Sequence, residues 1–373
     1  MQPDRLVADH VERLVPYSPG KPVEELEREL GIEGAVKLAS NENPVGPSPK
    51  VLEAVAAVAR EANRYPDAAG WYLKEALAER LGVTQQEIAL GNGSNELIDL
   101  LALAFVGPQE HVVFGEPSFV CYELACLKVG VPYTKVPLRD RTSWDVDALL
   151  DAVRPETKLL YVAHPNNPTG AHVPAAELER LLRDLPPRVV AVVDEAYVEF
   201  AEAPDYRSAM QMRLLRERLV VLRTFSKAYG LAGFRVGFAI APPTLVDYLN
   251  RVRAPFNVGR IAQAAALAAL QDEEHVRRYV RLNAEQRARL TEELRALGFR
   301  VAPSQTNFLL VDFGVPSRAL YDALLREGVI VRPMGPPIET TQRVTVGLPE
   351  ENDRLLGALR ALRERGFFEG ARA

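Results

Sequence analysis

The sequence predicts an α/β protein, with a mostly parallel central sheet carrying helices on both faces and a smaller α+β domain at its C-terminal end. Three observations lead there. The chain has 373 residues, more than one small core organises, which favours two packed domains. Short apolar runs recur without polar alternation at 111–114, 158–163, 189–193, 219–222 and 236–240, as in strands buried on both faces. Helical stretches such as Ala175–Asp184 fall between several of these runs, and parallel neighbours need such crossovers.

Each element follows in order. The opening stretch to residue 20 is punctuated by Pro16 and Pro19, with Pro22 just beyond, and reads as an arm that is ordered by docking. A short helix is predicted over 24–30. Asn41-Glu42-Asn43-Pro44 through Pro49 is dense in turn formers and reads as an ordered loop. Helical spacing covers 51–61 and 72–81, with Gly82 as the stop of the second. Past Pro255 the texture changes. A helical region over 261–297, broken near 271–273, precedes strand-like runs at 307–312, 329–331 and 343–346 and a terminal helix over 351–365. The expected division is an arm (1–40), a large domain (41–257) and a small C-terminal domain (258–373).

Composition removes several functional classes. Charged residues make up 25% of the chain and the net charge is −5, with both signs interspersed, so no basic block invites nucleic acid. Cys121 and Cys126 are the two cysteines, too few for a disulfide framework and without companions for a zinc site. They read as small core residues in a reducing compartment. Residues 1–10 include Asp4, Arg5 and Asp9 instead of a leader's apolar core. The most apolar stretches, 97–106 and 261–270, are too short to span a bilayer. A cytoplasmic protein with no metal, no nucleic-acid partner and no membrane association is expected.

Four segments carry chemistry, each after a predicted strand. Gly91-Asn92-Gly93-Ser94-Asn95-Glu96 opens an apolar helical stretch. Its N–H groups and dipole suit a phosphate, although taken alone the residues are better explained by a tight turn capped by Ser94 or Asn95. Pro165-Asn166-Asn167-Pro168-Thr169-Gly170 is a turn by composition. It also stands at the carboxyl end of a strand, where open α/β sheets place ligands, so Asn167 is a candidate donor. Asp194-Glu195-Ala196-Tyr197 puts a carboxylate at the end of an apolar strand, which is costly unless the strand end is exposed or the charge is paired. The fourth segment decides the reading: Thr224-Phe225-Ser226-Lys227-Ala228-Tyr229-Gly230, with Arg235 eight positions beyond the lysine. A half-buried lysine beside another cation has a lowered pKa and becomes a usable amine nucleophile.

Together these segments supply what pyridoxal phosphate requires. Lys227 would take the aldehyde as a Schiff base, and Asp194 would hold the ring nitrogen's proton so that the ring acts as an electron sink. Asn167 and Tyr197 can serve the ring's phenolate oxygen. Gly93, Ser94, Asn95, Thr224, Ser226 and Arg235 form a phosphate cradle. Phe119, in Glu116-Pro117-Ser118-Phe119, is either a ring-stacking residue or part of the core.

At these residues the sequence resembles the fold-type I aminotransferases, and within them the histidinol-phosphate aminotransferase branch. The resemblance extends over nearly the whole chain. It includes Pro16-Tyr17-Ser18-Pro19-Gly20-Lys21-Pro22, Leu38-Ala39-Ser40-Asn41-Glu42-Asn43-Pro44, Arg64-Tyr65-Pro66-Asp67 and Thr306-Asn307-Phe308. It implies a homodimer with shared active sites, in which Tyr65 reaches the phosphate of the partner's cofactor. It also implies substrate contacts from Tyr17, Asn43, Arg332 and Arg343, the last matching a carboxylate-binding position. Two positions depart from the branch's common pattern: Phe119 stands where tyrosine is common, and Asn95 where aspartate is.

The reaction implied is a ping-pong transamination through Lys227, between histidinol phosphate and 2-oxoglutarate, yielding imidazole acetol phosphate and glutamate. Alternatives within the fold are an aromatic or broad-range amino-acid aminotransferase and a threonine-phosphate decarboxylase. A non-catalytic pyridoxal-phosphate sensor would ordinarily carry a DNA-binding module, for which the short arm leaves no room.

Overall fold

The computed structural model describes residues 6–16 and 20–369. Tyr17, expected to contact substrate, lies outside the described residues. The strands run β1 (Val36–Lys37), β2 (Ile88–Gly91), β3 (His111–Glu116), β4 (Tyr133–Pro137), β5 (Thr157–Ala163), β6 (Val190–Asp194), β7 (Leu219–Thr224), β8 (Gly237–Ile240), β9 (Arg300–Val301), β10 (Phe308–Asp312), β11 (Val329–Ile330), β12 (Arg332–Pro333) and β13 (Thr341–Thr345).

Seven of them form the central sheet in the order β2-β8-β7-β6-β5-β3-β4. Every neighbouring pair is parallel except those made by β8, which runs against both β2 and β7. Strands β2, β6 and β8 are buried at every position, so apolar runs without alternation mark them in the sequence. The edge strand β4 is half-exposed and its run, Tyr-Thr-Lys-Val-Pro, lacks that mark. It therefore escapes sequence reasoning.

Parallel strands end together, and the register here puts chemistry along one edge. Ala163 at the end of β5 pairs with Asp194 at the end of β6, whose own partner on β7 is Leu222. Thr224, closing β7, faces Gly237, and Gly237 faces Gly91 at the end of β2. Three loops and one helix start thus emerge side by side.

The small domain has an antiparallel sheet ordered β12-β13-β10-β9, and β1 pairs in parallel with β11. Two large buried clusters divide the chain differently from the expected boundary at 257/258. Val258, Ala262, Ala265, Ala266 and Tyr279 pack in the core of the large sheet, while Leu290 and Leu294 pack in the second core with β10 and β13. We therefore propose that the boundary falls inside the helix Glu273–Ala296. Residues 36–38 of the expected arm go with the small domain, since β1 pairs there and Leu38 sits in its core.

Candidate active site

One cavity lies on the carboxyl edge of the central sheet, against the small domain. Its lining includes Ser94, Asn95, Phe119, Asn167, Asp194, Tyr197, Thr224, Ser226, Lys227, Arg235, Arg332 and Arg343. Four loops separated by tens of residues meet there because the strands that deliver them are neighbours.

Asp194 is 4% exposed, and burial pushes its carboxyl up to about 6. Two donors act against that shift: the Tyr122 hydroxyl gives a hydrogen bond to Oδ2 at 2.9 Å, and the Ala196 N–H gives one to Oδ1 at 3.1 Å. The next residue points the other way. Glu195 is fully buried behind the strand end, where it accepts from Arg223 at 2.8 Å, Ser208 at 2.8 Å and the Ala209 N–H at 2.6 Å. Alternation along an extended strand end thus gives two adjacent carboxylates opposite roles.

Lys227 is half-buried, and its Nζ donates to the Ser40 carbonyl at 3.2 Å. Burial, then the like charge of Arg343, pulls the amine down to about 8, with Arg235 acting the same way and Glu42 opposing. An amine near 8 is neutral in a useful fraction of molecules at physiological pH.

The helix Gly93–Phe105 begins at the cavity, with Ser94 and Asn95 of its first turn in the lining. Gly93 does not line the cavity itself. It has φ +75°, and a Cβ there would stand 2.4 Å from an Arg235 guanidinium nitrogen, so glycine makes room for the arginine. Gly237 serves the same end, since a Cβ would come within 2.6 Å of the Ser94 nitrogen. Arg235 donates to Ser226 Oγ at 3.2 Å, and Thr224 Oγ1 accepts from the Ser226 N–H at 3.1 Å.

From the small domain, Arg343 donates to Asn167 Oδ1 at 2.7 Å and to the Ala39 carbonyl at 2.6 Å. Arg332 is its cross-strand partner, so two guanidinium groups enter from one sheet face.

A model of the family described as aminotransferase class I and II matches residues 33–359. The chain belongs to that family. A histidinol-phosphate aminotransferase of Anaeromyxobacter sp. is 47% identical over 95% of this chain and 98% of its own length. Histidinol-phosphate aminotransferase 2 of Pseudomonas aeruginosa is 49% identical over 94% of this chain and 95% of its own. The crystal structure of the histidinol-phosphate aminotransferase of Sinorhizobium meliloti, in complex with pyridoxal 5′-phosphate, superimposes with a TM-score of 0.89 at 31% identity, covering 96% of this chain and 98% of that one.

The residues lining this cavity fit that cofactor in donor chemistry. They bring together an acidic group, hydroxyls, a helix start, a guanidinium and an amine. Asn95 also lines the cavity, where its Nδ2 and backbone N–H are the groups that could donate to a phosphate oxygen.

Two further expected residues stand outside the cavity lining. Asn43 spends its amide on the Ala228 carbonyl at 3.1 Å and the Val45 N–H at 2.8 Å, bracing the loop that carries Lys227. Tyr65 is 77% exposed and stacks on Phe256 with ring centroids 4.5 Å apart.

Two residues absent from the expected site are close to it. Asn41, at φ +55°, donates to the Tyr197 hydroxyl at 2.9 Å and bonds Thr345 and Asn307 of the small domain. The Asn-Glu-Asn run was the available signal, but sequence alone does not decide which asparagine faces inward. Tyr122 has no motif of its own and emerges only through its bond to Asp194.

Proposed function

We propose that the protein is a pyridoxal-phosphate-dependent transaminase that moves the amino group between histidinol phosphate and 2-oxoglutarate, forming imidazole acetol phosphate and glutamate. The observation that carries this reading is the paired placement of Arg332 and Arg343 opposite each other on β12 and β13, both lining the cavity that holds Lys227. Like charges set across a sheet repel, and an anionic ligand between them relieves the repulsion. A pocket that takes a phosphate in one half-reaction and carboxylates in the other needs two such forks. The names of relatives 47% and 49% identical over nearly their full length support the same substrate.

When bound, the cofactor supplies an electron sink for the bond broken at the substrate's α-carbon. In the proposed site Asp194 would keep a proton at the ring nitrogen, and Asn167 and Tyr197 would serve the ring oxygen. Phe119 would stack on the ring face. Ser94, Asn95, Thr224, Ser226 and Arg235 hold the phosphate, with Gly93 admitting the guanidinium. Lys227 anchors the aldehyde carbon through Nζ. The free Lys227 amine would be the group that takes and returns the proton at the substrate α-carbon. Arg343 fixes the carboxylate while its bond to Asn167 ties substrate and cofactor contacts together.

We further propose a homodimer. Tyr65, Trp71 and Tyr72 are large exposed aromatics close together in the chain, and a second copy would cover them and bring Tyr65 to its phosphate. Cys121 and Cys126 are free thiols, in keeping with a cytoplasmic setting. No described helix is long and apolar enough to cross a membrane.

The test is turnover by purified protein of histidinol phosphate, phenylalanine and threonine phosphate. The highest kcat/KM is expected for histidinol phosphate with 2-oxoglutarate. Equal or better use of phenylalanine would move the assignment to an aromatic aminotransferase, and release of carbon dioxide from threonine phosphate would make it a decarboxylase.

A further inference from the structure

We propose that Tyr122 is a positioning residue for the cofactor, whose hydroxyl holds Asp194 ionised and aimed at the ring nitrogen. The proposal rests on the reading above that Asp194 faces that nitrogen.

Tyr122 belongs to the helix Cys121–Val129 and is completely buried. Its ring is clamped between neighbours: it stacks on Tyr161 at 4.7 Å with an 11° interplanar angle and meets Phe119 edge-on at 5.8 Å. The phenol therefore has one place to send its proton, Asp194 Oδ2 at 2.9 Å. The Ala196 N–H takes the other oxygen at 3.1 Å. Two donors thus fix the plane of the carboxylate from the protein side.

The electrostatic surroundings make the phenol matter. Burial favours the neutral carboxyl, and Glu195 next door acts in the same direction, while the donors and Lys227 favour the ion. Tyr161 and Cys121 also pack close by. Burial pushes Tyr161 far above its ordinary range and Cys121 up to about 12, so both stay neutral. Tyr122 itself is raised well above a free phenol, by burial first and then by Asp194, so it remains a donor at working pH. Removing that donor leaves Asp194 with one protein hydrogen bond in an apolar setting, and its pKa rises further. The same ring supports Phe119, so one side chain serves both the charge and the stacking face expected for the cofactor.

The experiment is the dissociation constant of pyridoxal phosphate from the apoprotein, measured by absorbance and tryptophan quenching between pH 5 and 9. In the wild type, affinity falls as pH drops through about 6, where Asp194 becomes neutral. Tyr122→Phe keeps the stack and loses the hydroxyl, so the break should move up by about one unit. Affinity at pH 7 then falls about twofold, at pH 6 about fivefold and near pH 5 close to tenfold, and it returns to about the wild-type value by pH 8.5. Tyr161→Phe, which loses a hydroxyl bonded to the Ile98 carbonyl, should leave the break in place. If Tyr122→Phe does not fold, 3,5-difluorotyrosine at position 122 gives a stronger donor of nearly the same shape, and the break should move down. An equal loss of affinity at every pH, or an unmoved break with either replacement, overturns the proposal. Failure of the wild type to bind the cofactor would instead overturn the functional reading beneath it.

Discussion

The wall of the cavity formed by the central sheet and the wall formed by the small domain are fixed by different means. On the sheet side, Asn167, Asp194, Thr224 and Lys227 each follow the end of a buried strand or close it, and the parallel ladder sets their spacing. On the small-domain side, Arg332 and Arg343 depend on the register of two short antiparallel strands and on bonds that cross to Asn167 and Ala39. Rigid strand ends suit a resident group that must not move. A wall tied across a domain boundary suits a substrate that enters and leaves. Asn41 belongs to both, joining the Tyr197 hydroxyl to Thr345 and Asn307.

Substitutions on the two walls should therefore fail in different ways. Lys227→Ala, on the sheet wall, should lower kcat by about 10⁴-fold or more, since both nucleophile and proton carrier are lost. Stopped-flow and steady-state turnover check it, and the visible absorption of the attached cofactor should vanish. Behind the same wall, Glu195→Gln leaves Arg223 buried without its anion. A loss of about 3 kcal/mol in unfolding free energy is expected from denaturant titration, with the cofactor contacts otherwise intact.

On the other wall, Arg343→Gln should lower kcat/KM for glutamate by about 100-fold while pyridoxal-phosphate affinity changes little. A comparable loss in cofactor affinity would mean that the two walls are not separable. The same substitution has a pH consequence. Arg343 helps to hold the Lys227 amine down at about 8, so its removal raises that pKa. The rate at which the apoprotein gains visible absorption on adding cofactor should then climb at higher pH than in the wild type. Arg332→Gln is expected to be the mildest of these, about tenfold in kcat/KM, and should separate phosphate from carboxylate substrates.

The contrast between the walls also explains what could be read in the sequence. Buried strands leave unbroken apolar runs, and a reactive residue at the end of such a run or just past it is conspicuous, as with Asp194 closing β6 and Lys227 after β7. The half-exposed edge strand β4 leaves no such run. Tyr122 was invisible because a tyrosine in a helix is normally core, and only the fold brings it to Asp194, 72 residues away. Asn41 and Asn43 are chemically alike, and the backbone turn at φ +55° decides which one reaches Tyr197. The helix Arg260–Leu270 resembles any amphipathic helix in the sequence, and only its packing on the large core suggests a boundary further along the chain. The suggested role of Tyr65 needs a second chain, and no pattern within one chain supplies its geometry.

The central claim is that the cofactor is carried by Lys227, and borohydride reduction followed by peptide mapping tests it most directly. Reducing the purified holoenzyme should fix pyridoxal phosphate irreversibly to one peptide, with fragmentation placing it on Lys227. A fully active enzyme whose label falls on another lysine, or on none, would contradict the account.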